Sequence, residues 1–208
     1  MGDIEIRCIR VGMLQTNCYV IYDKEIRQAV IVDPGDNADF IEECISKMEG
    51  VSVAAVLLTH CHSDHFKGLT DIKNRYKVPV YVHEADAHRL KYQGGFLEAS
   101  YELQPDDVML HDGDHLSIGG MEIDVIHTPG HTEGGVCYYF KDNGILVSGD
   151  TLFYHSWGRT DFEGGDEAAL FRAIREKLLP LPPETIVLPG HNDTTTIKEE
   201  RMVHRFKG

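Results

Sequence analysis

The segment Thr59 to His65, with the sequence THCHSDH, places three imidazoles and one carboxylate within six residues, directly after an apolar run, Val53 to Leu58. A packed core cannot satisfy so many ligand-type nitrogen and oxygen atoms by hydrogen bonds alone. Imidazole and carboxylate groups are the usual ligands of cations such as zinc. We therefore predict a metal-binding loop at the end of a buried strand. A surface histidine cluster or a solvated turn is the alternative.

Spacing within this loop indicates two neighbouring metal positions. His60 and His62 lie two residues apart, so an extended backbone leaving a strand points both rings to the same side. Asp64 and His65 follow at the expected start of a helix, where the chain has turned. They therefore face a neighbouring position, and one loop can serve two metals.

Composition restricts the partners and the compartment. The chain has 208 residues, enough for a core without disulfides, and its formal charge of −14 disfavours nucleic acid because an acidic surface repels phosphates. Five dispersed cysteines without a C-x-x-C pair favour reduced thiols in the cytoplasm. The N-terminus shows no signal peptide, and the longest apolar run, Val51 to Leu58, is too short to cross a bilayer. We expect neither export nor a membrane partner, and the sequence gives no oligomeric state.

Hydrophobic periodicity predicts strands and helices in alternation. In the first half, strands are expected at 4–9, 17–22, 29–32, 53–58 and 78–82, and helices at 37–48 and 64–76. Residues 84–107 predict a short helix and a glycine-containing loop that could form one wall of a cleft. The second half predicts strands at 114–118, 121–126, 136–140, 145–147 and 185–188, and helices at 166–178 and 197–206. Because each half gives a sheet with covering helices, we expect an α+β fold, an αββα sandwich of four layers, as a single domain over residues 1–208.

Three further junctions combine a predicted strand, a glycine and a ligand-type residue. His131 ends the segment TPGH, Asp150 ends VSGD and His191 ends LPGH. Glycine lets the backbone turn tightly against a site, and strand ends allow residues distant in sequence to meet. Each junction alone is a simple turn. Together with the THCHSDH loop they predict one shared site.

With these segments in place, the sequence resembles the metallo-β-lactamase superfamily, whose T-H-x-H-x-D-H loop is matched at every defined position by Thr59 to His65. The resemblance extends from the DPG segment at 33–35 to His191. Within this superfamily, the sequence is similar to the glyoxalase II group, the hydroxyacylglutathione hydrolases, in the segments DTLF at 150–153 and GRTD at 158–161. The short, single-domain members match best. The resemblance thus implies the metallo-β-lactamase fold without the C-terminal helical domain of the long members.

The resemblance also implies seven metal ligands. His60, His62 and His131 would bind one metal, Asp64, His65 and His191 would bind a second, and Asp150 would bridge both. This donor set suits zinc, and the more oxygen-rich second position also admits iron or manganese. We expect two divalent ions, zinc before the others.

Paired ions at such a site would turn shared water into a hydroxide nucleophile and polarise a carbonyl. Asp64 and Asp150 could orient that hydroxide and are the predicted catalytic residues. The resemblance implies a small-molecule substrate, an S-2-hydroxyacyl thioester of the lactoylglutathione type. Arg159 stands where the family places a basic residue against glutathione; a surface ion pair with Asp161 or Glu163 is the alternative. Asp161 replaces an aromatic residue of the long members, so another thiol carrier stays open.

Other functions compete with this hypothesis. A persulfide dioxygenase of the same superfamily resembles the chain at 158–162, GRTDF, and would use one iron held by His60, His131 and Asp150. A β-lactamase is disfavoured by the missing export signal, and RNA processing by the charge. A metal-stabilised binding protein is a third class. Cys61 is either a redox-sensitive thiol beside the ligands or, by preference, a small buried residue. His155 either lines the pocket or lies at the surface, and Trp157 either walls the cleft or anchors a loop.

Overall fold

Two six-stranded sheets form the centre of the protein in the computed structural model, which describes residues 2–91 and 98–204. The first sheet contains, in spatial order, β1 (Ile4–Val11), β2 (Thr16–Asp23), β3 (Gln28–Val32), β4 (Ser52–Leu57), β5 (Val80–His83) and β6 (Val108–Leu110). The second contains β7 (His115–Ile118), β8 (Met121–His127), β9 (Val136–Phe140), β10 (Ile145–Gly149), β13 (Ile186–Pro189) and β14 (Thr195–Thr196), in the order β14-β13-β10-β9-β8-β7. A small hairpin, β11 (Leu152–Phe153) and β12 (Ser156–Trp157), stands apart.

Helices cover the outer face of each sheet. The first sheet is covered by α1 (Ala38–Ser46), α2 (Ser63–Phe66) and α3 (Leu69–Tyr76), and the second by α4 (Glu167–Ala173), which continues as a π-helical turn (Ile174–Leu178), and by α5 (Ile197–Val203). Short 3₁₀ turns lie at Ala87–Leu90 and Lys141–Asn143. Within the described ranges no helix has the length and apolar character needed to cross a membrane.

Burial along the central strands explains the layered packing. Every residue of β2 is buried, because its side chains alternate between two apolar environments. Tyr19 and Ile21 pack between the sheets with Tyr138 and Phe140. Val20 packs on the other face, against the helices. The predicted αββα sandwich is therefore confirmed, with one core between the sheets and one under each helical layer.

The structure divides the helix predicted at 64–76. α2 ends at Phe66 and α3 begins at Leu69. Between them the N–H of Gly68 donates to the carbonyl oxygen of Pro34 at 2.9 Å, and a Cβ at Gly68 would lie 2.9 Å from the same oxygen. The close approach of the DPG turn thus interrupts a helix that periodicity alone makes continuous.

Other differences concern short elements. β6, β11, β12 and β14 were not predicted, and each has only two or three residues. Elements of that length are set by pairing with neighbours rather than by their own pattern. The last helix ends at Val203, and residues 205–206 of its predicted range lie outside the described residues. Residues 92–97, the main part of the predicted glycine-containing loop, also lie outside the described residues.

Candidate metal centre

All seven predicted ligands meet at one end of the sandwich, where strands of both sheets terminate. Each comes from a loop or helix that directly follows a strand: His60, His62, Asp64 and His65 after β4, His131 after β8, Asp150 after β10 and His191 after β13. The three strand, glycine and ligand junctions noted in the sequence therefore converge with the THCHSDH loop. Their role as metal ligands stays a prediction, supported by the short distances between their ligand atoms.

The first ligand group contains His60, His62 and His131, with one ligand atom from each lying within 4.8 Å of the others. Nδ1 of His62 is 2.9 Å from Nε2 of His131. Burial, and then the neighbouring His131 ring, lower the pKa of His62 to about 3. The imidazole is therefore neutral at physiological pH, which is the form that binds a metal.

The second group contains Asp64, His65 and His191, again with one ligand atom each within 4.8 Å. Nε2 of His191 lies 3.2 Å from Oδ2 of Asp64 and 3.4 Å from Nε2 of His65. Two residues adjacent in sequence, Asp64 and His65, serve this group because the chain has entered α2. The spacing argument from the sequence corresponds to these two groups, and a third group, His60, His65 and Asp150, connects them.

Asp150 lies between the two groups. Its Oδ1 is 3.4 Å from Nε2 of His65, and its Oδ2 is 3.5 Å from Nε2 of His131. Oδ2 also lies 3.6 Å from Nε2 of His191, so the Asp150 carboxylate contacts residues of both groups, as a bridging ligand requires.

A buried nitrogen supports the fit of a cation to this cluster. Nε2 of His60 is buried, and among the described residues it has no hydrogen-bond partner. Buried polar atoms are rarely left in this state without water or an ion to satisfy them. Burial, and then the nearby His65, lower the pKa of His60. A neutral, buried imidazole whose free nitrogen points into a cluster of other imidazoles and carboxylates suits zinc, iron or manganese.

Asp33 orients two of the ligand-bearing residues, and sequence reasoning did not assign it to the site. Its Oδ2 lies 2.8 Å from Nδ1 of His65 and accepts the Thr59 hydroxyl at 2.6 Å. The Thr59 hydroxyl lies in turn 3.1 Å from Nδ1 of His60. Partners of this kind fix ring orientation and tautomer. The DPG turn at the end of β3, beside β4, was the available signal.

Backbone carbonyls and a hydroxyl contact three further ligands. Nδ1 of His131 lies 2.7 Å from the carbonyl oxygen of Arg159, and Nδ1 of His191 lies 3.2 Å from that of Leu14, so each of these imidazoles is held from its far side. The Thr16 hydroxyl donates at 3.1 Å to Oδ2 of Asp64, the oxygen that also faces His191.

Asp86 ties two ligand loops together. Its buried carboxylate accepts the N–H of Cys61 at 2.9 Å, the hydroxyl of Thr132 at 2.8 Å and the N–H of Gly134 at 2.7 Å. It thus links the loop of His60 to the loop of His131. Asp86 lies in the segment 84–107, to which the sequence assigned no chemistry, and no motif marks it.

A cleft of about 690 Å³ opens over the centre. Besides ligand residues it is lined by Leu14, Phe153, Trp157, Arg159 and Phe162. The described residues of 84–107 do not line this cleft, and 92–97 lie outside the described residues, so the wall expected there stays a prediction. Phe153 and Trp157 of the β11–β12 hairpin, with Arg159 and Phe162, form one side of the cleft.

Residues whose role the sequence left open now have defined surroundings. Cys61 is buried, and burial raises the pKa of its thiol, as expected for a small packing residue. His155 lies outside the cleft lining, with Nε2 2.7 Å from Oε1 of Glu199. Trp157 lines the cleft and also packs edge-on against Phe171, with ring centroids 4.9 Å apart.

Arg159 is engaged by its own chain. Its Nε and one terminal nitrogen each donate to a carboxylate oxygen of Asp161 at 2.7 Å. Its guanidinium carbon lies 3.9 Å from the centre of the Phe162 ring. The structure therefore contains the ion pair that was the alternative to substrate binding, and the carboxylate-binding role of Arg159 stays a prediction.

A four-layer αββα fold with a histidine and aspartate cluster at its strand ends defines the metallo-β-lactamase type of protein. The family model for the metallo-beta-lactamase superfamily matches residues 11–191. The chain belongs to this superfamily.

Two relatives match almost the whole chain. A probable metallo-hydrolase, YqgX of Bacillus subtilis, is 37% identical, over 96% of both chains. The hydroxyacylglutathione hydrolase GloC of Haemophilus influenzae is 32% identical, over 98% of both.

Three solved structures are similar to the chain. The B3 metallo-beta-lactamase BLEG-1 has a TM-score of 0.90 and 38% identity, covering 97% of this chain and 99% of that one. TTHA1623, in a di-iron-bound form, has a TM-score of 0.84 and 33% identity, covering 97% and 100%. ETHE1 from Myxococcus xanthus has a TM-score of 0.81 and 27% identity, covering 97% and 83%.

Proposed function

We propose that the protein is a metal-dependent thioester hydrolase that cleaves S-2-hydroxyacyl thioesters, the reaction type of S-lactoylglutathione hydrolysis. The position of Asp150 carries this proposal, because one of its oxygens faces His65 and the other faces His131. A site of this form can hold two ions with a water between them. The similarity to GloC supports the thioester as substrate.

When bound, two cations would lower the pKa of water and polarise the thioester carbonyl. The chain's own groups supply orientation. The Thr16 hydroxyl fixes one oxygen of Asp64, so the carboxylate is held where it can accept a hydrogen bond from water. Asp150 contacts both ligand groups and thereby fixes their relative position. Neither serine nor cysteine is needed as a nucleophile in this scheme.

Zinc is the ion we propose first, since imidazoles dominate the donor set. Iron is the second choice, and the di-iron form of TTHA1623 supports it. Manganese fits the second group by the same ligand chemistry.

A small-molecule substrate in a reducing compartment fits the remaining observations. The charge of −14 works against nucleic acid as a partner. None of the five cysteines, all of which lie within the described residues, forms a disulfide, which supports the cytoplasm.

The test combines turnover with metal content on one sample. Protein loaded separately with zinc, iron or manganese is given a panel of lactoyl thioesters, and thiol release is followed. Asp64→Ala is expected to abolish turnover. Full turnover in that variant, or undiminished turnover in chelator-stripped protein, would contradict the mechanism, whereas metal binding without any turnover would favour a binding protein. A β-lactam in the panel tests the activity named for BLEG-1.

A persulfide dioxygenase is the second candidate, favoured by the similarity to ETHE1. The contacts of its three expected iron ligands also favour it, because His60 shares one ligand group with His131 and another with Asp150, and Nε2 of His131 lies 3.5 Å from Oδ2 of Asp150. It predicts one iron per chain and oxygen uptake on glutathione persulfide. Those two results, with no thioester turnover, would replace the hydrolase proposal.

A further inference from the structure

Apolar side chains form the rim of the cleft. Phe162, Leu14 and Trp157 line it with 48%, 52% and 38% of their surface exposed. Exposed aromatic rings that line a cleft rather than standing singly on a surface indicate contact with a ligand.

These rings lie directly beside the metal centre. The ring centroid of Phe162 is 5.7 Å from that of His62, and the centroid of Phe153 is 6.3 Å from that of His191. One ring therefore flanks each ligand group. A thioester whose carbonyl reaches the centre extends past this apolar rim, so the groups attached to the carbonyl contact it.

Positive charge at the cleft is neutralised within the chain. Apart from histidines, Arg159 is the one cationic residue lining the cleft in the described ranges, and Asp161 binds it through two hydrogen bonds.

Two further cations, one bound to the neighbour of cleft residue Asn192 and one near Asp64, are paired in the same way. Arg10 donates to Asp193 at 2.8 Å and Lys67 to Asp36 at 3.1 Å. An anionic thiol carrier would therefore lose hydration on entering the cleft without gaining an unpaired cation as a partner.

We propose that the thiol carrier is recognised by apolar and aromatic contact rather than by charge, and that Asp161 determines this preference by holding Arg159. This inference rests on the proposed thioester hydrolysis and refines its substrate class. The class consists of thioesters of uncharged thiols with an aromatic or aliphatic body. Specificity of this kind arises from the unfavourable desolvation of the wrong partner as well as from contact with the right one.

The experiment compares three lactoyl thioesters on the metal-loaded enzyme. They are those of glutathione, of glutathione diethyl ester and of benzyl mercaptan. The diester removes both carboxylate charges while keeping the peptide and its ammonium group, so it isolates the effect of the carboxylates, and the benzyl thioester carries no charge. We expect kcat/KM for the diester and the benzyl thioester to exceed that for glutathione by about 10-fold, which corresponds to about 1.4 kcal/mol.

Two matched variants test the role of Asp161. Asp161→Asn releases the guanidinium and is expected to lower KM for the glutathione thioester roughly 3- to 10-fold, with little change for the benzyl thioester. Glu163→Gln makes the same charge change two residues away and should leave both KM values near wild type. Because the Asp161 side chain is exposed, both variants are expected to fold.

Each outcome has a defined meaning. A wild-type preference for the charged glutathione thioester, lost in Arg159→Ala, would overturn the inference and show Arg159 as a carboxylate clamp. Equal effects of the two variants would reduce the role of Asp161 to net charge and also overturn it. Absence of turnover on all three thioesters would instead remove the proposed function.

Discussion

Oδ2 of Asp33 lies 2.8 Å from Nδ1 of His65, and both side chains are buried. The residues belong to different elements, since Asp33 follows β3 and His65 lies in α2. The contact leaves Nε2 of His65 facing Asp64, Asp150 and His191. A carboxylate behind an imidazole also raises the basicity of the nitrogen on its far side.

Replacing Asp33 tests this orientation. Asp33→Asn keeps the size of the side chain but removes the charge, and we expect the affinity for the second metal to fall about 10- to 100-fold. Competition with a chromophoric chelator measures the change. Asp36→Asn is the control, because Asp36 lies on the same loop but pairs with Lys67. Equal affinity in wild type and Asp33→Asn would show that Asp33 does not orient the ligand.

Asp86 is expected to contribute to stability independently of metal. Asp86→Ala removes the acceptor for three donors, the N–H groups of Cys61 and Gly134 and the hydroxyl of Thr132. Leaving these buried donors unsatisfied should lower the free energy of unfolding by roughly 3 kcal/mol or more. Urea unfolding in the presence of chelator measures it. The exposed neighbour Glu84 is the control, since Glu84→Ala should change stability by less than about 0.5 kcal/mol. Similar unfolding midpoints for the two variants would argue against the proposed linkage of the loops.

Gly190 is expected to be required for metal binding. A Cβ there would overlap Oδ1 of Asp150 and lie 2.7 Å from Cε1 of His65. Gly190→Ala should therefore displace two ligands and lower the bound metal per chain. Gly113→Ala is the control: Gly113 has φ +83° and open space, so this variant should lose only about 1 kcal/mol of stability and keep its metal. Full metal content in Gly190→Ala would contradict the close packing of these residues.

The free energy of unfolding should depend on pH through a surface cluster formed by His115, Glu122 and Asp124. Nδ1 of His115 lies 2.7 Å from Asp124 and Nε2 lies 2.7 Å from Glu122, and these contacts raise the pKa of His115 above its ordinary 6.5. The pairing stabilises the fold fully below that ordinary value, and the contribution is lost as pH rises through the raised pKa.

The difference in urea midpoint between wild type and His115→Gln measures this contribution. It should be larger at about pH 5.5 than at about pH 9, on either side of the histidine titration. Chelator at both pH values keeps metal loss out of the comparison. A difference that does not shrink with rising pH would show that the cluster is not ionic.

Much of the fold follows from local pattern. The apolar residues of β4 and the helical period of α1, with Ile41 and Ile45 buried, predict their elements directly. β6 and β14 could not be predicted, because two or three residues carry no period and depend on a neighbouring strand. The break at Gly68 was missed for a related reason, since a distant turn at Pro34 causes it.

The candidate site also contains residues that can be recognised from the sequence and residues that cannot. Histidines and aspartates beside glycine at strand ends can be recognised along the chain, because metal ligands need particular side-chain chemistry at particular spacings. Asp86 carries no such mark, and its three contacts lie 25 to 48 residues away in sequence. The pairing of Arg159 with Asp161 was one of two alternatives, and a rotamer rather than a motif decides between them.

The sequence by itself determined the alternation of elements and the layered fold, because both depend on residue type and period, and its resemblance to a family supplied the predicted ligand set. Only the tertiary structure decided which carboxylates stand behind the ligands, which segment walls the cleft and whether its cation is free. Those features depend on contacts between residues far apart in the chain, and such contacts exist only after the two sheets have packed together.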